Sequence, residues 1–191
     1  DLEKRRSDIT CQLLPTEHAG HAEELAKEHS AGPSTVIVSS SGDGGLHEVV
    51  NGILHSSSAT TIAGVLPSGN ANDHYRSRHS GDVVSRISTA DAQSVDVLKV
   101  AWDDHVRYAH SYIGLGITAD IGHSLTKAEL NRINELCIAA KHLFRRRVVR
   151  LKVDGRSHSY DSIIYAAVPQ MSKYFDTGAE KHRKPGEFII V

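Results

Sequence analysis

The sequence predicts an α/β domain with a parallel sheet, followed by a β-rich domain. In the first half, an apolar run at residues 35–38 leads through glycines into a helix, and a second apolar run follows at residues 61–66. This alternation of strand and helix is typical of βαβ units. Near Ser94 the pattern becomes that of short strands, so the predicted domains are residues 1–94 and 95–191.

Each element of the first half has a local signal. Residues 9–14 form a short apolar run that predicts a strand, and the spacing of apolar residues over 22–26 predicts a helix that ends at Gly32-Pro33. The β-branched run at 35–38 is continuous, as in a parallel strand covered on both faces. Apolar residues over 46–54 then recur at helical spacing and predict a stripe that faces the core.

The second half is predicted to be mainly β-structure. The predicted strands cover residues 95–101, 106–113, 148–153 and 157–168. Asp154-Gly155 is a strong hairpin signal between the last two. A long amphipathic helix is predicted at about 125–147, and the polar stretch 171–186 reads as a loop.

Composition excludes several classes of function. Lys and Arg number 22 against 23 Asp and Glu, so a net charge of −1 argues against nucleic acid as the main partner. The two cysteines provide neither a disulfide framework nor a zinc motif, and the 13 histidines occur singly, which argues against a metal site built from them. No apolar run approaches the roughly 18–20 residues of a membrane span, so we expect a cytoplasmic protein.

The stretch VIVSSSGDGGLHEVVNGIL, residues 36–54, joins a strand to a helix through glycines. Such a turn presents backbone N–H groups and the positive end of a helix dipole, which suits a phosphate, although an ordinary tight turn has the same pattern. Asp43 would repel a phosphate unless a cation lies between them, so it predicts either a magnesium–nucleotide site or no phosphate site. A second polar loop, residues 66–73, should lie at the same sheet edge.

These two loops carry a resemblance. Residues 42–52 resemble the GGDGT-x-NEVVNG signature of the diacylglycerol kinase catalytic-domain family, which includes bacterial soluble lipid kinases, sphingosine kinases and ceramide kinases. Residues 66–73 resemble its LPxGTxND motif, and residues 114–120 resemble the GxGxDA segment that opens its β-sandwich domain. The resemblance implies a Rossmann-like three-layer α/β domain at 1–94 and a β-sandwich-type domain with an inserted helix at 95–191.

The resemblance also implies a reaction and a site. A kinase of this family would transfer the γ-phosphoryl group of ATP, with Mg²⁺, to the hydroxyl of a diacylglycerol-like or other long-chain lipid. Asp43 is the candidate magnesium ligand. For Glu48, a supporting role in the site and a plain carboxylate on the helix surface agree equally well with the sequence. The residues with an implied nucleotide contact are Thr16, Ser41, Gly42, Asp43, Gly44, Gly45, Leu46, His47, Glu48, Gly69, Asn70, Asn72 and Asp73.

The chain departs from the family pattern at several positions. Ser41 stands at the first glycine of the motif, Gly45 at its threonine and His47 at its asparagine, while Asn70 replaces a threonine in the second loop. The family's opening strand and its late segment with the general base have no match, so the sequence predicts an incomplete chain. In an alternative alignment Glu187 is a weak candidate for that base.

Other functions remain open at this point. A catalytically degenerate relative would bind nucleotide or lipid without turnover, and NAD kinase-like enzymes share a GGDG loop. Residues 145–147 and Arg150 form a basic cluster at the end of the predicted long helix. The cluster either stabilises the negative end of the helix dipole or binds anionic lipid headgroups. The expected partner is a lipid substrate at a membrane surface, with peripheral membrane contact and a homodimer as further options.

Overall fold

The computed structural model describes residues 4, 7–30, 32, 34–58, 60–78, 83–89, 92–121, 148–168, 170–171, 175–176 and 186–191. In the first half the elements are α1 (His21–His29), β1 (Val36–Ser41), α2 (Asp43–His55), β2 (Ile62–Pro67), α3 (Asp73–Arg78) and α4 (Val83–Ser88). The second half contains β3 (Leu98–Trp102), β4 (His105–Ala109), β5 (Tyr112–Gly116), β6 (Val149–Val153), β7 (Arg156–Tyr160), β8 (Ser162–Ala166), β9 (Gln170–Met171), β10 (Phe175–Asp176) and β11 (Ile189–Ile190). The chain is therefore a mixed α/β protein, as predicted.

The first half contains the predicted parallel pair. Strands β1 and β2 run in register from Val36 opposite Ile62 to Ser41 opposite Pro67, so both strands end at the same level. One face of the pair packs on α2, where Ile37 contacts a small core of Ala26, Val49, Ile53 and Ala22. This arrangement puts the two loops that follow the strands side by side.

Three expectations for the first half are wrong. Residues 9–14 form no regular structure, and Leu13 is 92% exposed, so no strand among the described ranges covers this apolar run. Val36 and Ile62 remain 44% and 40% exposed, so among the described residues the parallel pair is covered on one face only. Helix α2 begins at Asp43, so the predicted glycine loop is in part the first turn of the helix.

Helices α1 and α2 cross at Gly52. A Cβ atom at this position would lie 2.3 Å from the Glu23 carbonyl oxygen and 2.7 Å from the Ala26 Cβ. Only glycine permits this approach, because any side chain would separate the two helices. Gly52 thus fixes α1 against the helix that follows the glycine-rich turn.

The strands of the second half form antiparallel sheets. Strands β3 and β4 form a hairpin, β6 and β7 form another around Asp154-Gly155, β9 pairs with β10, and β5, β8 and β11 make a sheet in the order β11-β8-β5. The predicted strand 106–113 is divided at residues 110–111, and the strand 157–168 is divided at Asp161. The predicted helix 125–147 lies outside the described residues, as does most of the predicted loop 171–186. Where this loop is described, Met171 and Phe175–Asp176 belong to strands β9 and β10, so the loop prediction is wrong there.

A buried asparagine joins the first half to the second. Asn51 on α2 is fully buried, and its Nδ2 donates to the carbonyl oxygens of His47 and Tyr108, each at 2.8 Å. Its Oδ1 accepts the N–H of Tyr108 at 2.9 Å. The Asn51 side chain thus satisfies the backbone N–H and carbonyl oxygen of Tyr108 on β4, as a neighbouring strand would. These hydrogen bonds hold the β3–β4 hairpin against α2.

No helix within the described ranges has the length and hydropathy that a membrane span requires.

Candidate functional site

The loops after β1 and β2 touch through two glycines. A Cβ on Gly69 would lie 2.3 Å from the Cα of Gly42, and a Cβ on Gly42 would lie 3.0 Å from the Cα of Gly69. The N–H of Ser68 also donates to the carbonyl oxygen of Ser41 at 3.1 Å. As predicted, the two loops form one continuous edge at the carboxyl ends of the parallel strands, which is where ligands bind in open α/β sheets.

The start of α2 has no side-chain cap. Gly42 is the N-cap residue and offers no side chain, so the N–H groups of the first turn lack the usual capping oxygen. A Cβ on Gly44 would meet no atom of the described residues within 4 Å apart from the backbone of its own helix, so within this part of the chain the space beside the turn is open. A helix end with this geometry is suited to an anion.

Ser41 occupies the space beside the first turn. Its Oγ lies 2.6 Å from the Oγ of Ser39 and donates to the carbonyl oxygen of Gly42 at 3.0 Å. A Cβ on Gly45 would lie only 2.3 Å from the same Ser41 Oγ. A side chain at position 41 therefore excludes one at position 45, so the two departures from the family motif are sterically linked.

The Asp43 carboxylate joins the two loops. Its Oδ2 accepts the N–H of Asp73 and its Oδ1 accepts the N–H of His74, each at 3.0 Å. The carboxylate thus caps the start of α3 from across the site. Since a carboxylate oxygen has two lone pairs, each oxygen retains acceptor capacity on its other side.

Asp73 and Asn72 have structural contacts of their own. Asp73 is 1% exposed, pairs with the Arg76 guanidinium at 2.5 Å, and accepts the hydroxyl hydrogen of Tyr112 at 3.2 Å. Asn72 accepts the N–H of Gly69 at 3.1 Å and donates to its carbonyl oxygen at 2.8 Å. These two side chains therefore shape the second loop. Burial, together with the Asp73 and Asp43 charges, raises the pKa of Tyr112 well above its usual range.

The structure adds two histidines that sequence reasoning missed. His110 is buried, and its Nε2 donates to the carbonyl oxygen of Asp43 at 3.2 Å while its Nδ1 accepts the Ser111 hydroxyl at 2.7 Å. His74 packs edge-on against His110, with ring centroids 4.8 Å apart. Burial lowers the pKa of His110, so the ring is held neutral behind the first loop. Isolated histidines carry no periodic signal in sequence, which is why neither was predicted.

His47 and Glu48 point to different surroundings. His47 lines a cavity of about 290 Å³ with residues of the β-rich half, and burial, followed by the Arg107 charge, lowers its pKa. Glu48 accepts the N–H groups of Gly20 at 3.0 Å and Ala22 at 3.3 Å, at the start of α1. The Glu48 carboxylate thus holds the end of a neighbouring helix.

The remaining predicted residues differ in exposure. Thr16 and Asn70 are exposed, whereas the Leu46 side chain is buried in the core, so that only the backbone of Leu46 is available to a ligand. Glu187 is also exposed, next to Gly186, whose N–H donates to the Asp96 carboxylate at 2.9 Å.

The fold and the site together define a mixed α/β protein whose parallel strands end in a glycine-lined edge beside an uncapped helix. Residues 2–100 match the family model described as the diacylglycerol kinase catalytic domain. The chain therefore belongs to the diacylglycerol kinase catalytic-domain family. No curated protein matches the chain.

Three solved structures of Bacillus anthracis str. Sterne proteins share the fold. Two are described as putative diacylglycerol kinases and one as a diacylglycerol kinase, at 18%, 16% and 16% identity. They superpose with TM-scores of 0.56, 0.55 and 0.54 and cover 82%, 83% and 81% of this chain. This chain covers 55%, 54% and 54% of theirs, so it spans about half their length.

Proposed function

We propose that the chain carries the nucleotide site of an ATP-dependent lipid kinase, which transfers the γ-phosphoryl group to the hydroxyl of a diacylglycerol-like or other long-chain lipid. One observation carries this proposal: the uncapped, open first turn of α2 lies directly against the second glycine loop. The first-turn N–H groups and the helix dipole would bind the phosphates and stabilise the charge on the transferring group. Membership of the family supports the same reaction.

Asp43 is the residue that we propose for Mg²⁺. Its oxygens are hard donors of the kind that Mg²⁺ prefers, and their hydrogen bonds to α3 fix the orientation of the carboxylate. Asp73 is less available, because it already pairs with Arg76 and Tyr112. When bound, Mg²⁺ supplies positive charge to the transferring phosphoryl group.

The acceptor lipid would approach from the β-rich half. Val100, Tyr112 and Ile113 give the cavity of about 290 Å³ apolar walls, and His47 connects it to α2. In the transfer, the lipid oxygen bonds to the γ-phosphorus, the bond to the bridging oxygen of ADP breaks, and the hydroxyl proton passes to a base. Glu187 stays the sequence-based candidate for that base. We propose residues 1–94 and 95–191 as the Rossmann-like and β-sandwich-type domains of this enzyme.

The first experiment measures transfer of labelled γ-phosphate from ATP into a mixed lipid extract by the full-length protein. Gly44→Ala is the informative variant, because its methyl group meets no described residue outside its own helix within 4 Å and alanine favours a helix. A phosphate on the first turn would collide with that methyl. We expect an unchanged or raised melting temperature together with a loss of transfer of about tenfold or more, the effect of removing about 1.4 kcal/mol of transition-state stabilisation.

The matched control is Glu28→Ala, at an exposed position of α1, which should leave transfer unchanged. Full transfer by Gly44→Ala would show that no phosphate lies on this turn and would overturn the proposal. ATP binding without labelled lipid would identify a degenerate relative, and labelled NAD instead of lipid would identify an NAD kinase-like enzyme.

We also propose that the protein meets its lipid at the cytoplasmic surface of a membrane without crossing it. Sedimentation with vesicles of anionic lipid should carry the protein into the pellet, and the binding should weaken with salt. A protein that stays in the supernatant at low salt would contradict peripheral binding. A homodimer is an option that analytical ultracentrifugation would decide.

A further inference from the structure

Three side chains with metal-binding groups meet at the start of α1. His18, His21 and Glu24 each offer a ligand atom, and these atoms all lie within 4.8 Å of one another. The rings of His18 and His21 stack with centroids 4.7 Å apart and an angle of 12° between them. Their spacing in the sequence matches no zinc motif, so sequence analysis argued against a histidine site, whereas the turn before α1 brings the side chains to one face.

The hydrogen bonds of the two rings decide which nitrogen atom of each could bind an ion. His18 Nδ1 lies 3.0 Å from the carbonyl oxygen of Ala19, which can only accept, so Nδ1 carries the hydrogen and Nε2 has the free lone pair. His21 Nδ1 accepts the N–H of Glu17 at 3.0 Å, so Nε2 carries the hydrogen and the ring must release this hydrogen bond before its lone pair can bind an ion. Because this contact is exposed, water can replace the ring as partner of the N–H when an ion takes the lone pair.

The backbone between the ligands is held in place. The N–H groups of Gly20 and Ala22 both donate to the Glu48 carboxylate, at 3.0 and 3.3 Å. The segment that carries His18 and His21 is thereby fixed to α2 before any ion binds. A chelate on a preorganised segment loses little conformational entropy on binding.

We propose that His18, His21 and Glu24 bind one transition-metal ion, with Zn²⁺ the best fit. Two imidazoles and one carboxylate form a three-ligand set that leaves the fourth tetrahedral position to water. Imidazole nitrogen is a poor ligand for Mg²⁺, so this site is chemically separate from the proposed magnesium site at Asp43. A metal ion at this site leaves two sets of hydrogen bonds unchanged: those of Glu48 to the start of α1 and those of Asp43 to the start of α3.

The test is isothermal titration calorimetry of the full chain, without a polyhistidine tag and without nucleotide, with Zn²⁺ alone. We expect one equivalent of Zn²⁺ to bind, and the same titration in the presence of Mg²⁺ at equal concentration to be unchanged, because imidazole prefers Zn²⁺. His18→Ala and Glu24→Gln each remove an exposed metal ligand. Loss of a residue that only hydrogen-bonds to a ligand weakens metal binding about 10- to 100-fold, so loss of a ligand itself should weaken Zn²⁺ binding by at least this factor.

The matched controls lie on the same helix. His29→Ala and Glu28→Gln remove the same types of group from the C-terminal turn of α1 and should leave Zn²⁺ binding unchanged. Absence of stoichiometric binding, or equal losses in the controls, would overturn the site. Since no nucleotide or lipid is present, this result is independent of the kinase assay.

Discussion

Gly45→Ala tests the steric link between the two departures from the family motif. The new Cβ would lie 2.3 Å from Ser41 Oγ and 2.7 Å from Ser41 Cβ, where ordinary contact begins at 3.4 Å. Rotation of the hydroxyl relieves the first contact but leaves the second. We therefore expect Gly45→Ala to destabilise the protein in the presence of Ser41 and to be accepted once Ser41 is replaced by glycine.

The magnitude follows from two opposing terms. Overpacking in a well-packed site costs about 1–3 kcal/mol, and alanine in place of glycine within a helix gains about 0.5–1 kcal/mol. Gly45→Ala alone should then cost up to about 2 kcal/mol. Ser41→Gly alone loses the hydrogen bonds to Ser39 and Gly42, worth about 1 kcal/mol each. In the double variant the clash is absent, so the coupling energy should be about 1–3 kcal/mol in favour of the pair.

Urea unfolding of the four proteins of this double-mutant cycle gives the coupling energy directly. Gly44→Ala combined with Ser41→Gly is the control cycle, because a Cβ on Gly44 would not lie within 4 Å of the Ser41 side chain and should show no coupling. A coupling energy below about 0.5 kcal/mol for positions 41 and 45 lies within ordinary additivity and would refute the steric argument.

Three further predictions concern stability. Asn51→Ala should lower the free energy of unfolding by about 2–4 kcal/mol in urea titrations, because the N–H and carbonyl oxygen of Tyr108 lose their partner; a loss below about 1 kcal/mol would contradict this. Gly69→Ala should cost about 1–3 kcal/mol by forcing the two loops apart, whereas Gly64→Ala, 3.3 Å from its nearest neighbour, should cost less; equal losses would argue against the loop contact. Because burial lowers the pKa of His110 below 6.5, the unfolded state binds a proton more readily than the folded state as the pH falls. The free energy of unfolding should therefore be highest above pH 6.5 and decrease below it. In the variant His110→Gln the free energy of unfolding should depend less on pH in this range.

The local organisation of the α/β half is readable from sequence. The glycine-rich turn between the strand at 35–38 and the apolar stripe at 46–54 predicts a strand, a turn and a helix; the strand and the helix are present, and the turn is reduced to Gly42. The error at residues 9–14 has a clear cause, since an apolar run forms a strand only when a neighbour is available for its hydrogen bonds. The extra turn of α2 at Asp43 was missed because glycine is a weak helix former.

What the sequence determined by itself is thus the order of β1, α2 and β2 and the glycine edge at which two parallel strands end, because these depend on residues that are neighbours along the chain. Only the tertiary structure decided what the polar side chains at that edge contact. Asp43 binds the backbone 30 and 31 residues further on, and His110 reaches Asp43 from 67 residues away. Contacts over such separations depend on how helices and hairpins pack, and the periodicity of a single segment carries no information about that packing.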